Sequence, residues 1–326
     1  MLQIASIVQN KGYDIYFAWN SVNHLLALSK QLDIKLVKPK LHPEIVQLYF
    51  QNNPLKMYFT TRKYDLIFYL SDGSIPLLGG KNNIIHIQVP FHHVGGKSLK
   101  NQLKLKTINQ IIVNSQFTKN VIDQEYGVDS LVVYPPVSPP LKKISPSQKQ
   151  PLILSVGRFE PSLNIKRQDV LIKAFKQLSP QLPGWKLILA GSLGPKAESW
   201  VTQLRHQAAN YPIEIQTNLD YQQLQRLYQQ ATIYWHAAGY QVDAQSHPEL
   251  VEHFGITTVE AILNQCLPLV VPKGGQLEIV SQSQFHWHSI PELISKTLNL
   301  IQTKPKLPSV DQYSLAHFQD KIKLLI

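Results

Sequence analysis

The hydrophobic and polar positions of the chain predict short strands that alternate with longer helical segments. The first series of β-branched or aromatic runs is DIYFAW (14–19), DIKLVK (33–38), DLIFYL (65–70), NIIHIQV (83–89), QIIVNS (110–115) and LVVYP (131–135). The second series is LILSVG (152–157), WKLILAG (185–191), IEIQT (213–217), TIYWHA (232–237) and LPLVVP (267–272). Such alternation is typical of parallel α/β units, so the pattern predicts two doubly wound α/β domains.

A proline-rich stretch, PPVSPPLKKISPSQKQP (135–151), separates the two series of strands. Its prolines keep the chain extended, and its Ser and Lys residues keep it solvated. We therefore predict a first domain over 1–140 and a second over 151–310. We expect an amphipathic helix at 311–326 that packs back on the first domain.

The first twelve residues have the spacing of a helix. Ile4, Ile7 and Val8 recur at helical intervals, and Gly12 is a suitable C-cap. Because a doubly wound domain normally begins with a strand and a glycine-rich turn, we predict that the first domain lacks these two elements.

Composition and charge narrow the class of protein. No apolar run reaches the roughly 18 to 20 residues that cross a bilayer, and no export segment follows Met1. Cys266 is the single cysteine, which excludes an intrachain disulfide, and we expect a cytoplasmic protein. The formal net charge of +11 attracts anions such as nucleic acid, anionic lipid or phosphorylated metabolites. Nucleic acid is the least favoured, because the sequence has no arginine-rich block and no aromatic RNA-binding segment.

The segment EHFGITTVE (252–260) places two carboxylates around a predicted helix start. Gly255 would cost about 1 kcal/mol inside a helix, so the helix is expected to begin near it. Glu252 then lies on the entering loop and Glu260 lies a turn or more inside the helix. The backbone N–H groups around Gly255 would suit a phosphate between the two carboxylates.

A purely structural explanation of the same segment stays open. Thr257 followed by Glu260 also matches a capping box, in which the carboxylate satisfies the start of its own helix. The local pattern alone favours this explanation.

The neighbouring segments favour an anion site instead. Arg158 directly follows a predicted strand, and Lys166 and Arg167 begin a helix, where positive charge is unfavourable unless it meets an anion. Gly274 and Gly275 follow another predicted strand, at the sheet edge where open α/β sheets bind ligands, although a glycine pair there also makes an ordinary turn.

These residues carry a resemblance to glycosyltransferase family 4, whose members have the GT-B arrangement of two Rossmann-like domains. The similar segments are VNSQFTKNVI (113–122), VVYPPV (132–137), VGRF with KRQDVLIKAF (within 156–175) and EHFGITTVEAILNQCLPLVVPKGGQLEIV (252–280). They cover nearly all of the chain in this order. EHFGITTVE and GGQLEIV are especially similar to mannosyltransferases of the dolichol-oligosaccharide pathway and their bacterial relatives.

The resemblance implies a retaining enzyme that moves a hexose, with mannose as the first candidate, from a nucleotide-diphosphate sugar to a glycan or lipid-linked acceptor. Family members use no bound metal, and the absence of Asp-x-Asp from this sequence agrees with that. We therefore expect no metal and no cofactor. The implied catalytic residues are Glu252, Arg158 and Lys166, and the implied donor-binding residues are Phe254, Gly255, Ile256, Glu260, Gly274 and Gly275.

Two departures from the family pattern stand beside this resemblance. Many relatives have His-x-Pro after a strand of the first domain, whereas IIHIQVPFHH (84–93) has Gln88 in place of that His, with His86 and His92 as possible substitutes. The missing first strand leaves open a different class, a non-catalytic remnant that only binds sugar nucleotides.

The segment KSLKNQLKLK (97–106) has a basic amphipathic pattern. It would suit a helix on an anionic membrane, which would place the protein at the inner face of the membrane, or a solvated helix that covers the first domain. A lipid-linked acceptor would favour the position of this helix on the membrane.

Overall fold

The protein is described by a computed structural model over residues 1–31, 34–140, 149–161, 166–194 and 197–326. Two compact units make up the chain. The first consists of Met1–Tyr134 with Ala316–Ile326, and the second of Pro135–Leu315. Residues 141–148 of the predicted domain boundary lie outside the described residues. The predicted functions of the two domains stay predictions.

The first unit is an α/β unit with a parallel sheet. Its strands are β1 (Tyr16–Phe17), β2 (Lys40–Leu41), β3 (Leu66–Ser71), β4 (Asn82–Ile87), β5 (Gln110–Val113) and β6 (Leu131–Val132). Its helices before the second unit are α1 (Leu2–Gln9), α2 (Val22–Gln31), α3 (Pro43–Phe50), α4 (Pro54–Thr61), α5 (Leu99–Leu105) and α6 (Gln116–Tyr126). The sheet has the order β3-β4-β5-β6, and β1 pairs with β2 in a separate small sheet.

The second unit contains a five-stranded parallel sheet. Its strands are β7 (Gln150–Val156), β8 (Lys186–Gly191), β9 (Ile213–Thr217), β10 (Ala231–His236) and β11 (Leu267–Val270). Its helices are α7 (Gln168–Leu178), α8 (Glu198–Ala208), α9 (Tyr221–Gln230), α10 (Ile256–Leu263), α11 (Gln276–Ile279) and α12 (Ile290–Thr303).

The strand order of this sheet is β11-β10-β7-β8-β9, with every neighbouring pair parallel. Counted from β7, this is the Rossmann order, in which the chain builds one side of the sheet and then returns to build the other. The switch point lies between β7 and β10. In open α/β sheets the crevice beyond the carboxyl ends of the strands at this point is where ligands bind.

The two ends of the chain pack into the core of the first unit. Ile4, Ile7 and Val8 of α1 lie in one hydrophobic cluster with Phe318 and Ile322 of α13 (Leu315–Lys323). The helices predicted at both ends from their apolar spacing are therefore confirmed.

The strand predicted at 33–38 is wrong for the residues that the structure describes there, 34–38. The amide of Val37 donates to the side-chain oxygen of Gln9 on α1 at 2.9 Å, and the Gln9 amide donates back to the Val37 carbonyl. The backbone is thus satisfied by a helix side chain, and the short strand β2 forms three residues later. The other predicted strands all overlap observed strands.

Candidate functional site

Four segments of the second unit meet the carboxyl edge of its sheet. The loop after β7 carries Arg158 and leads to Lys166, and β10 ends at His236. Glu252 lies just ahead of α10, and the glycine pair follows β11. Because β7 and β10 are the strands at the switch point, these side chains surround the position at which such a sheet binds ligands.

Lys166, His236 and Glu252 form one hydrogen-bonded cluster. Lys166 Nζ lies 2.7 Å from Glu252 Oε2, and His236 Nε2 lies 2.8 Å from the same oxygen. The side chains are 18%, 3% and 12% exposed for Lys166, His236 and Glu252, respectively. A carboxylate oxygen only accepts hydrogen bonds, so both nitrogens donate.

The cluster holds Glu252 in its ionised form. Burial by itself would raise the pKa of the Glu252 carboxyl, but the charge of Lys166 and the hydrogen bond from His236 outweigh burial and hold this pKa well below its usual range. A buried carboxylate that is paired and hydrogen-bonded in this way is a fixed acceptor for hydroxyl groups.

Two residues next to Lys166 in space or in sequence, Gly157 and Arg167, help to direct its side chain into the cluster. A Cβ at Gly157 would lie 2.7 Å from Lys166 Cγ, so only glycine leaves room for the lysine stem there. Arg167 has a left-handed φ of 51°, and its guanidinium binds Asp169 at 3.1 and 3.2 Å and the Tyr240 carbonyl at 3.2 Å. The two consecutive basic residues therefore have different partners, and Lys166 is the one that reaches Glu252.

Arg158 directly follows Gly157 in the chain and is exposed. Gln168 Nε2 donates to the carbonyl oxygens of Gly157 and Arg158 at 3.4 and 3.3 Å, which ties the loop after β7 to the start of α7. Arg158 is therefore an exposed residue at the carboxyl edge of the sheet. Its predicted contact with a diphosphate stays a prediction.

The glycine pair allows two loops to pack backbone against backbone. A Cβ at Gly274 would lie 2.2 Å from the carbonyl oxygen of Glu252, and one at Gly275 would lie 2.5 Å from that of His253. The Gly275 amide donates to the Glu252 carbonyl at 2.8 Å. Gly274 also has a φ of +63°, which favours glycine. The backbone that closely approaches the two glycines is thus that of the Glu252 segment. Direct binding of the donor by Gly274 and Gly275 stays a prediction.

Helix α10 begins directly after Gly255, as the sequence predicts. Gly255 is the N-cap with a φ of 115°, and none of the side chains that the structure describes caps this helix. Thr257 lies inside the first turn and accepts the Tyr234 hydroxyl at 2.8 Å. The capping-box alternative of Thr257 with Glu260 is therefore wrong, because the cap position belongs to Gly255. Phe254 is buried and Ile256 is exposed, and their predicted donor contacts stay predictions.

The Glu260 carboxylate accepts a hydrogen bond from a tyrosine and does not cap the start of its own helix. The Tyr228 hydroxyl donates to Glu260 Oε2 at 2.9 Å. Burial raises the pKa of Glu260, while the Tyr228 hydrogen bond lowers it in part. The pKa of Tyr234 is raised first by burial and also by the charges of both Glu252 and Glu260, so this ring lies within electrostatic reach of both carboxylates. The predicted pair of carboxylates thus borders one buried tyrosine.

The three residues predicted as contacts from the first unit differ in exposure. His86 is buried in β4, and burial lowers its pKa to about 3, which keeps the imidazole neutral. Gln88 is exposed past the end of β4, and its carbonyl accepts the Asn114 side-chain amide at 2.9 Å. His92 is half-buried, with its ring centroid 4.5 Å from that of His93. Their predicted roles stay predictions.

Two residues of the site have no counterpart in the sequence-based prediction. His236 ends the predicted strand TIYWHA, and a polar residue at the carboxyl end of a buried strand is a signal for a site residue. Tyr228 lies on α9 and reaches Glu260 over 32 positions of sequence, for which no local signal exists.

Across the ranges that the structure covers, no three or more His, Cys, Asp or Glu residues come together as metal ligands. Within the same ranges, no helix combines the length and the apolar character needed to cross a bilayer.

The fold is that of a GT-B protein with two Rossmann-like units, and a comparison with known proteins identifies the family of this chain. Residues 139–309, more than half of the 326-residue chain, match the model of the family described as Glycosyl transferases group 1. The chain therefore belongs to the group 1 glycosyltransferase family.

Two curated relatives are mannosyltransferases. The alpha-1,3/1,6-mannosyltransferases ALG2 of Mus musculus and Homo sapiens are 25% and 26% identical to this chain over 199 and 200 residues. Each alignment covers 53% of this chain and 44% of the relative, so it spans less than half of the relative's length.

Solved structures with the same fold include two glycosyltransferases. WaaG, a glycosyltransferase involved in lipopolysaccharide biosynthesis, matches with a TM-score of 0.61 and 13% identity, over 99% of this chain and 89% of WaaG. The lipopolysaccharide outer core galactosyltransferase WaaB matches with a TM-score of 0.59 and 15% identity, over 90% of this chain and 84% of WaaB. At these identities the likeness shows the fold.

Proposed function

We propose that this protein transfers a hexose from a nucleotide-diphosphate sugar to a hydroxyl of a glycan or lipid-linked acceptor, with retention of configuration and without a metal ion. The observation that carries the proposal is the cluster of Lys166, His236 and Glu252 at the switch point, next to a helix start that no described side chain caps. Cations, a helix N-terminus and a fixed carboxylate suit a diphosphate joined to a sugar.

The cations act on the leaving group. In the proposed reaction the bond from the sugar C1 to the β-phosphate oxygen breaks, C1 bonds to the acceptor oxygen on the same face, and the hydroxyl proton passes to the departing phosphate. Lys166, Arg158 and the N–H groups at the start of α10 would stabilise the negative charge that develops there. These groups supply the positive charge that a metal ion supplies in other enzymes, and activity in the presence of EDTA would support metal independence.

The carboxylates orient the rest of the donor. Glu252 would accept hydrogen bonds from sugar hydroxyls, because it is fixed and ionised. Glu260 would accept hydrogen bonds from the ribose hydroxyls, with Tyr228 holding its other oxygen. This assignment separates the sugar end of the donor from its nucleoside end.

Mannose is the first donor sugar to test, because both curated relatives are mannosyltransferases by name. A lipid-linked acceptor would bring the protein to the inner face of an anionic membrane in the cytoplasm. Helix α5 supports this part of the proposal, since Leu99 and Leu103 are 78% and 54% exposed beside Lys100.

Thermal unfolding with GDP-mannose, UDP-sugars and dTDP-sugars tests the donor. A ligand at one hundred times its Kd adds about 2.7 kcal/mol to stability, which raises Tm by roughly 5–10 °C in a unit of this size. We expect such a shift in the parent and in Lys186→Ala, which loses only an exposed ion pair with Glu214, and none in Lys166→Ala or Glu260→Ala. A full shift in Lys166→Ala would contradict the assigned site.

Transfer is then measured with the donor that binds. Product formation on a glycan or lipid-linked acceptor, with the anomeric configuration read by proton NMR, would support the enzyme. Binding without transfer to any acceptor would favour the alternative, a non-catalytic protein that binds sugar nucleotides.

A further inference from the structure

His236 is held more firmly than Lys166, the other side chain that donates to the Glu252 carboxylate. Its imidazole is 3% exposed, and its backbone pairs with Val270 in the β10–β11 ladder. Its carbonyl also accepts the indole N–H of Trp287 at 3.2 Å. Lys166, by contrast, reaches Glu252 with a long side chain that is 18% exposed. The two donors therefore differ in their freedom to move.

Both donors bind the same carboxylate oxygen, and in the proposed function only Lys166 leaves it. Lys166 Nζ and His236 Nε2 both bind Glu252 Oε2. When a diphosphate enters, it competes for the lysine cation, which can bind phosphate oxygens as a point charge. Glu252 would then be a buried carboxylate without its counter-charge, and such a group is unstable unless another donor remains.

We infer that His236 is a positioning residue that keeps Glu252 in place for the donor sugar while Lys166 transfers its hydrogen bond to the diphosphate. This inference rests on the proposed function. His236 itself touches neither the sugar nor the phosphate in this scheme and acts through Glu252 alone.

The chemistry of imidazole suits this role. Since Nε2 donates to the carboxylate, Nε2 carries a proton, and the short, buried side chain keeps this hydrogen bond in place while a diphosphate draws the longer lysine away. Its Nδ1 is buried and has no hydrogen-bond partner among the residues that the structure describes. The only bond that orients the ring within those residues is therefore the one to Glu252. A lysine or arginine at this position would be drawn to the diphosphate together with Lys166.

Nitrogen-15 NMR of the ligand-free protein tests the contact itself. We expect His236 to be protonated on Nε2 in the parent and to remain so in Lys166→Met, which imitates the departure of the lysine. In Glu252→Gln the Nε2 proton signal should move. A His236 signal that does not respond to Glu252→Gln, or that is lost in Lys166→Met, would overturn the inference.

The Kd values of GDP-mannose and of GDP test whether His236 supports binding of the sugar. If another nucleotide sugar gives the larger thermal shift, that nucleotide sugar and its nucleoside diphosphate are used in their place. We expect His236→Phe to weaken GDP-mannose binding by about tenfold or more, because the sugar loses an oriented carboxylate, and to leave the Kd of GDP within about threefold. His236→Gln, whose amide nitrogen can replace Nε2, should recover most of the affinity.

A double-mutant cycle separates positioning from general damage. If His236 acts through Glu252, then His236→Phe in a Glu252→Gln background has little further effect on GDP-mannose binding. Equal losses of GDP and GDP-mannose affinity, or additive losses in the cycle, would overturn the inference and leave the proposed function intact. A parent protein that binds no nucleotide sugar would overturn the proposed function and the inference together.

Discussion

Replacing Lys166 with methionine tests how strongly the cluster depends on its cation. The change keeps most of the apolar stem over Gly157 but removes the ammonium that lies 2.7 Å from Glu252. The carboxylate is then left in a site where its side chain is only 12% exposed. We expect Lys166→Met to destabilise the second unit.

The magnitude follows from the burial of the pair. Removing one partner of a fully buried ion pair costs about 3–5 kcal/mol, whereas exposed pairs contribute about 0–1 kcal/mol. The Lys166–Glu252 pair lies nearer the buried limit, but His236 still donates to Glu252 after the change. We therefore expect a loss of about 2–3 kcal/mol, or roughly 4–12 °C in Tm for a unit of this size.

Urea unfolding followed by tryptophan fluorescence measures this loss, because urea adds no salt to screen the charges. Four of the five tryptophans lie in the second unit, at positions 185, 200, 235 and 287, so the signal reports mainly on that unit. Lys186→Met is the matched control in the same unit. Its pair with Glu214 is 41% and 47% exposed, and its loss should cost less than about 1 kcal/mol.

A second substitution tests whether the unpaired carboxylate causes this loss of stability. Adding Glu252→Gln to Lys166→Met removes the unpaired charge while it keeps the shape of the side chain, so most of the lost stability should return. Equal unfolding free energies for Lys166→Met and Lys166→Met with Glu252→Gln would refute the claim that an uncompensated carboxylate causes the loss.

Three further outcomes are expected. Gly274→Ala should destabilise the protein by about 2 kcal/mol or more in urea unfolding, because its Cβ would meet the Glu252 carbonyl at 2.2 Å, and wild-type stability would contradict this contact. The folded-state pKa of Glu252 is lowered, so the stability that this carboxylate contributes is present above its ordinary pKa of 4.5 and is lost as pH falls through the folded pKa. The difference in unfolding free energy between the parent and Glu252→Gln should therefore shrink between pH 7 and pH 3. The pKa of Glu260 is raised by burial, so Glu260→Gln should raise Tm at pH 7 by about 1 °C or more. This gain in Tm should vanish in acid, where the parent carboxyl is protonated. A lower Tm of Glu260→Gln at pH 7 would refute the expected direction.

Strands and helix ends were predictable where the signal is local. Runs such as LILSVG and LPLVVP are buried on both faces of a parallel sheet, and their apolar and β-branched character is visible in a short window. The start of α10 was predictable because Gly255 disfavours a helix interior and has a positive φ. The strand expected at 33–38 failed because its backbone partner is the side chain of Gln9, 28 positions away.

The partners within the site were less predictable for the same reason. Lys166 and His236 meet Glu252 from 86 and 16 positions away, and their meeting depends on β10 pairing with β7. Strand order leaves no trace in hydrophobic periodicity. Glu260 was open to interpretation as a cap because its actual donor, Tyr228, lies on another helix.

The packing of the glycine pair against the Glu252 segment connects residues that follow three different strands. Glu252 receives the Gly275 amide on its carbonyl oxygen, and Lys166 and His236 on its carboxylate. Single residues that follow β7, β10 and β11 are therefore fastened to one another at Glu252. A local opening that releases one of these residues must break hydrogen bonds that hold the others, so the amides of Lys166, Glu252 and Gly275 are expected to exchange their hydrogens as one cooperative unit.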